Sequence, residues 1–410
     1  MTVGCQWEGI REEGVGEEVK QVPKQEGLKH RDSRFELLRI AAMLMIVLGH
    51  FATQSGIFSE LRGASYHAFY YFISLGPRIG VDLFVMIGAW FLSDSDFRAR
   101  RLLDLYLRLF LYCVPITILG KLFLPDVGAE ALVRGILPFS GSPLWFVSCY
   151  IMLLMAGPLL NYALSFRLLT ERLILTGLVL ICLIPTFTLR NDYFFLGEEI
   201  WFMLLYLLTG YLKRSLRGDY PGERTWEGRF LSRLIIRRAG IAYLLSAACY
   251  LSLFFFGLFV SYVLLPAFPA LNAGLKDGLN LAFYFVNMNM LPAFLCALFL
   301  FEGVLGSCVR YSRFINFLGR KTFTVYILHQ IPALLPSIWL LLFRTGSWGA
   351  SPFSPFFTAL IPAALFAAAI VLDFVYAEPL LSVLARSGFY RRAERWMQSF
   401  FGKPDERSAL

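Results

Sequence analysis

The stretch Phe35–Phe58, FELLRIAAMLMIVLGHFATQSGIF, decides the fold. From Ile40 to Gly49 it carries no charge, and about 20 such residues at 1.5 Å rise span a hydrocarbon core of roughly 30 Å. Nine more apolar runs come after it, near Phe69–Leu92, Leu103–Leu124, Leu144–Leu164, Leu173–Leu189, Ile200–Leu212, Ala239–Leu265, Leu279–Leu305, Phe323–Phe343 and Phe356–Ala377. Of 410 residues, 57% are hydrophobic and 16% charged, and the mean hydropathy is +0.61, more apolar surface than a soluble domain can hide. Soluble-enzyme, coiled-coil and disordered classes drop out. The reading is an all-α, polytopic membrane helix bundle of about ten transmembrane helices.

Lys and Arg test the count, because loops left on the cytoplasmic side are basic. Placing both termini there assigns 29 of the 38 to that side, while the opposite loops hold only Arg62, Arg134, Arg190, Lys276 and Arg344. Both termini are therefore expected in the cytoplasm. The net charge of +9 serves topology, and no nucleic-acid partner is expected. The seven cysteines show no CxxC pair or metal-ligand spacing, so neither a disulfide framework nor a metal site is expected. Residues 1–33 lack an apolar h-region and read as a polar, disordered tail, with the first span as an uncleaved signal. Residues 34–381 form the membrane domain and 382–410 a basic cytoplasmic tail. In the longest basic loop, Trp226, Phe230, Leu231, Leu234 and Ile235 recur at helical spacing among arginines, which predicts an interfacial amphipathic helix.

Charges inside an apolar span cost roughly 2.5–3.5 kcal/mol each on insertion scales, so they are the first functional candidates. They are Arg39, His50, Arg78, Asp82, Arg108, Glu302, His329 and Asp373, with Glu378 at the last exit. The Arg39–His50 separation leaves the two side chains about 20° apart on one helix face and about 16 Å apart along the axis. Arg78 stands four residues before Asp82, beside Gly76, Pro77 and Gly80, and is expected to pair with it. Arg98, Arg100 and Arg101 suit phosphates, or simply fix topology. His329, nine residues past Arg320, falls about 13 Å into the membrane. Glu378 caps its span or pairs with a neighbouring arginine.

These elements occur in a recognisable order: Arg39 with His50, Gly80-Val81-Asp82-Leu83-Phe84, Arg98 to Arg101, Leu144-Trp145-Phe146, Leu318-Gly319-Arg320-Lys321-Thr322-Phe323 through His329, and Glu378-Pro379. Together they resemble the acyltransferase 3 family of integral membrane O-acyltransferases. The resemblance implies transfer of an acyl group, commonly acetyl from cytoplasmic acetyl-CoA, to a hydroxyl of an extracytoplasmic or lipid-linked carbohydrate. It makes His50 the residue that activates the acceptor and Arg39 its partner. It also sets Arg98 and Arg101 in the family's basic motif, with Arg100 beside them at the nucleotide end of the donor. Ser142-Pro143 and Ile87-Gly88-Ala89-Trp90 depart from the family pattern. No metal is implied, the expected partners are membrane lipid and the carbohydrate, and the expected location is the bacterial cytoplasmic membrane. The competing reading is a transporter or flippase for a saccharide or lipid-linked saccharide, although no internal repeat of the transporter kind is present.

Overall fold

The computed structural model describes residues 31–60, 64–123, 128–137, 144–188, 197–220, 225–236, 238–268, 281–331, 338–339, 343 and 345–401. Among them there is no strand. The elements that matter here are α1 (Ser33–Gln54), α2 (Gly76–Leu92), α3 (Ala99–Phe123), α4 (Trp145–Ala163) and α5 (Gly197–Arg217). They continue with α6 (Ala239–Phe259), α7 (Leu291–Leu305), α8 (Thr322–Gln330), α9 (Ser354–Leu372) and α10 (Gly388–Phe401).

Among the described residues, seven helices are long and apolar enough to cross a membrane. The other three expected spans are present as different objects. The helix α5 has the length, but Glu198 and Glu199 at one end and Lys213, Arg214 and Arg217 at the other lower its hydropathy. The span expected at Leu279–Leu305 is broken by turns between Val286 and Met290 before α7 begins, with Pro292 in its first turn. In the expected Phe323–Phe343 span, α8 stops at Gln330, and most of the remaining run lies outside the described residues.

The helix α1 runs through the middle. Phe35, Leu38, Ala42 and Ile46 belong to one buried apolar cluster, and Met43, Val47, Phe51 and Ala52 to a second. Small residues let α2 lie against it. A Cβ on Gly49 would meet Pro77 Cδ at 2.3 Å, and one on Gly80 would meet the Ala42 carbonyl oxygen at 2.7 Å. Between helices in lipid, close approach of this kind supplies the dispersion contact that the hydrophobic effect cannot. Asp32 caps α1 by accepting from Arg34 N at 3.0 Å, and Arg34 reaches the carbonyls of Val304, Leu305 and Ser307 at the end of α7.

A second tie holds α3, α8 and the end of α9. Asp373 is fully buried and accepts from Arg108 Nη1 at 2.6 Å, Tyr112 Oη at 2.7 Å and Thr324 Oγ1 at 2.9 Å. Lys321 Nζ lies 3.0 Å from its other oxygen and 2.6 Å from Glu378. Two of the intramembrane charges, Arg108 and Asp373, are thus partners of each other, and Glu378 pairs with Lys321 rather than with an arginine.

The basic loop does contain a helix, Trp226–Arg233, with Trp226 and Phe230 exposed and Leu231 buried. The expected basic tail is partly a helix too, α10. Residues 1–30 of the polar leader, 402–410 of the basic tail, and Ser142-Pro143 lie outside the described residues. Cys113, Cys149, Cys182, Cys249 and Cys296 are free thiols, while Cys308 is disulfide-bonded, which the scattered spacing did not indicate.

Candidate active site

His50 leaves α1 towards the C-terminal end of α8. Its Nδ1 lies 3.1 Å from His329 Nε2, and the rings are 5.4 Å apart, centroid to centroid. The other nitrogen of His329, Nδ1, is 2.8 Å from the Val325 carbonyl, an acceptor only, so it carries the proton and Nε2 turns a lone pair towards His50. With its hydrogen on Nδ1, donated to that lone pair, His50 leaves Nε2 as the free base. His329 is completely buried, which fixes the ring that orients His50.

Two residues that sequence reasoning missed complete this shell. The Gln330 amide nitrogen Nε2, a donor, lies 2.9 Å from His50 Nδ1 and 3.4 Å from Gln54 Oε1, so Nδ1 serves either Gln330 as acceptor or His329 as donor, and the Trp339 indole N–H donates to the same Gln54 oxygen at 3.3 Å. Their signal was available: Gln54 is one turn beyond His50 on α1, and Gln330 is the polar neighbour of His329 in an apolar run.

Below this pair, aromatic rings lead along α4. Tyr326 stands edge-on to His329 at 5.8 Å and to Phe146 at 5.5 Å, and Phe146 stacks on Tyr150 at 5.8 Å. Arg39 pairs with Glu36 Oε1 at 2.7 Å and lies over the Phe91 ring at 5.8 Å.

At the basic end of the bundle a cleft opens between α2, α3, α4 and α5, lined by Ser95, Phe97, Arg98, Arg101, Asn161 and Tyr206 among others. Tyr206 Oη donates to Asn161 Oδ1 at 2.8 Å, and Asn161 Nδ2 donates to the carbonyls of Leu92 and Ser95, each at 3.2 Å. Arg101 Nη1 donates to Ser95 Oγ at 3.0 Å. Arg98 is exposed and forms no ion pair among the described residues. Arg100 is on the outer face of α3, exposed and 3.5 Å from Asp104, so only two of the three expected cations share the cleft.

The expected Arg78–Asp82 pair does not form. Glu198 and Trp201, one turn apart on α5, each take one member: Arg78 lies 3.9 Å from Glu198 and over the Trp145 ring at 5.1 Å, while Asp82 Oδ1 accepts from the Trp201 indole at 2.9 Å. Asp82 is fully buried, and its Oδ2 has no hydrogen-bond partner among the described residues. Among the described residues no cluster of three metal-ligating side chains exists.

Comparison with known families matches the acyltransferase domain over residues 32–373, which takes in every one of these residues. No curated protein and no solved structure matches. The match spans most of the chain, from before α1 to the buried Asp373, and the chain belongs to the acyltransferase 3 family, as an integral membrane acyltransferase.

Proposed function

We propose that the protein moves an acyl group, acetyl first among them, from cytoplasmic acyl-CoA to a hydroxyl of an extracytoplasmic or lipid-linked carbohydrate, in the bacterial cytoplasmic membrane. The observation that carries this reading is the His50–His329 pair at 3.1 Å with its tautomer set by Val325. An alcohol attacks a thioester only as its proton leaves, and a neutral imidazole held in one tautomer is the side chain matched to that task near neutral pH.

In the proposed step His50 Nε2 takes the hydroxyl proton while the acceptor oxygen bonds to the thioester carbon. The carbonyl becomes an oxyanion, the carbon–sulfur bond breaks, and His50 returns the proton to the departing sulfur. His329 holds the imidazole in place and accepts from its Nδ1–H as positive charge develops. The oxyanion needs a cation, and Arg78, held only at 3.9 Å by Glu198, is the candidate. Arg39 is not, because about 16 Å along α1 exceeds the reach of an arginine side chain. Arg39 suits the long arm of the donor, between the histidines and the cleft. The chemistry of the cleft fits the nucleotide end: Arg98 is uncommitted, and Arg101 is held by one hydroxyl with donors to spare.

The test is purified protein in proteoliposomes with acetyl-labelled acetyl-CoA outside and a saccharide extract of the cell envelope inside. Label appearing on saccharide, and lost in His50→Ala that still inserts, is the expected result. Intact thioester with every acceptor, accompanied by saccharide flux, would instead make the protein a transporter.

A further inference from the structure

We propose that Gln398, on the C-terminal helix α10, is a positioning residue of the donor cleft, holding the backbone on either side of Arg98. The inference rests on reading that cleft as the site for the donor's nucleotide end. Gln398 Oε1 accepts from the Ala99 N–H at 3.0 Å, and its Nε2 donates to the Phe97 carbonyl at 3.0 Å. One planar amide therefore spans Arg98 and spends both its donor and its acceptor there.

Both bonds answer a need in the chain. Ala99 is the first residue of α3, whose opening N–H groups have no partner inside the helix, and Phe97 lies in the irregular segment before it. The helix α10 also meets this region near both its ends, outside the two amide bonds. Phe97 and Phe401 meet at 5.5 Å, and the Tyr390 hydroxyl donates to Asp104 Oδ1 at 2.7 Å, further into α3.

The consequence is a basic arm with a fixed root and a free tip. The Arg98 backbone is tied through both neighbours, while its guanidinium faces the cleft without an ion pair among the described residues. An anion that binds there does not have to order the segment first, and preorganisation of that kind raises affinity without adding a contact. Nothing in the clamp touches the histidines, so it acts on donor binding and leaves the chemical step alone.

The test uses the full chain in detergent or nanodiscs, with CoA as the calorimetric probe and acetyl-CoA as substrate. Gln398→Ala raises the Kd for CoA and the KM for acetyl-CoA by about tenfold, the scale of re-ordering one backbone residue on binding. Its kcat at saturating donor, and its KM for acceptor, stay within about twofold, since neither rests on the clamp. Gln398→Glu keeps the side-chain length and the acceptor for Ala99 but sets an oxygen against the Phe97 carbonyl, and weakens CoA binding in the same direction. Tyr390→Phe, which loosens α10 without touching the clamp, leaves CoA binding unchanged. Either Gln398 variant, folded, binding CoA as the parent does overturns the proposal, as does equal weakening in Tyr390→Phe. Arg101→Ala separates the two layers. Normal CoA binding in that variant removes the donor cleft itself, whereas weak binding there with normal binding in Gln398→Ala removes only the role of Gln398.

Discussion

Replacing His50 with Ala deletes the free imidazole nitrogen, and a positioned general base contributes typically 10²–10⁴-fold, so kcat falls by about that factor. His329→Ala leaves the base but releases its tautomer and orientation. The expected loss is about 10- to 100-fold in kcat with the KM for acetyl-CoA unchanged, measured as initial rates on reconstituted protein. Neither substitution opens the fold, because the two helices meet through many other side chains. A different outcome is expected at Asp82. Its Oδ2 is buried without a hydrogen-bond partner among the described residues, so Asp82→Asn keeps the oxygen that accepts from Trp201 and holds thermal stability within about 1 kcal/mol. Asp82→Leu strands the indole N–H and costs about 1–3 kcal/mol, read as a lower unfolding temperature in detergent. At this scale the sequence singled out His50, His329 and Arg39, because charges are rare in apolar runs, and Arg98 and Arg101 as a basic cluster between two spans. Asn161, Tyr206 and Tyr150 do not stand out, since neutral polar groups in a membrane helix look alike until a partner is seen.

Between elements, the seat of α1 on α2 depends on glycine. Gly80→Ala drives a Cβ to within 2.7 Å of the Ala42 carbonyl, backbone that yields only if the helices part. The cost is about 1–3 kcal/mol with a shifted His50, and the check is a lowered unfolding temperature together with lost activity. A second joint is visible at the basic end, where Asp94, just beyond α2, pairs with Lys213 at 2.8 Å and with Arg217 on α5. Burial pushes the Asp94 carboxyl up, but the bond and charge of Lys213, then Arg217, outweigh it and hold it below the usual carboxylate range. A depressed folded value contributes stability above the unfolded value, near 3.9, that is lost as pH falls further. Acidification from pH 5 to 3 therefore lowers the unfolding temperature of the parent more than that of Asp94→Asn. The Arg78–Asp82 case shows why local spacing misled. An i,i+4 pair forms when nothing better is near, and α5 offered a carboxylate to one member and an indole to the other.

Across the whole molecule, the tie at Asp373 gathers α3, α8 and the end of α9 through one carboxylate. Arg108→Ala removes one of the two cations on that buried carboxylate, leaving Lys321 at 3.0 Å, and destabilises by about 1–3 kcal/mol, and adding Asp373→Asn recovers part of the loss. A double-mutant cycle in detergent, by thermal unfolding, measures the recovery. The same tie holds α8, which carries His329, at the depth of α1, so the charges that cost most to insert serve the site by fixing its scaffold.

The apolar runs and the rare charges inside them were enough for a helical membrane bundle, because backbone groups in lipid must be satisfied within a helix and ionised side chains are expensive there. They also singled out Arg39 and His50 on one helix face. The tertiary structure alone decided that His50 meets a histidine 279 positions away, that Arg98 and Arg101 share a cleft while Arg100 turns out of it, and that the C-terminal helix reaches back to the backbone beside Arg98. The physical reason is range: insertion energy and helical period act within one segment, whereas hydrogen bonds between helices depend on packing that no single segment encodes.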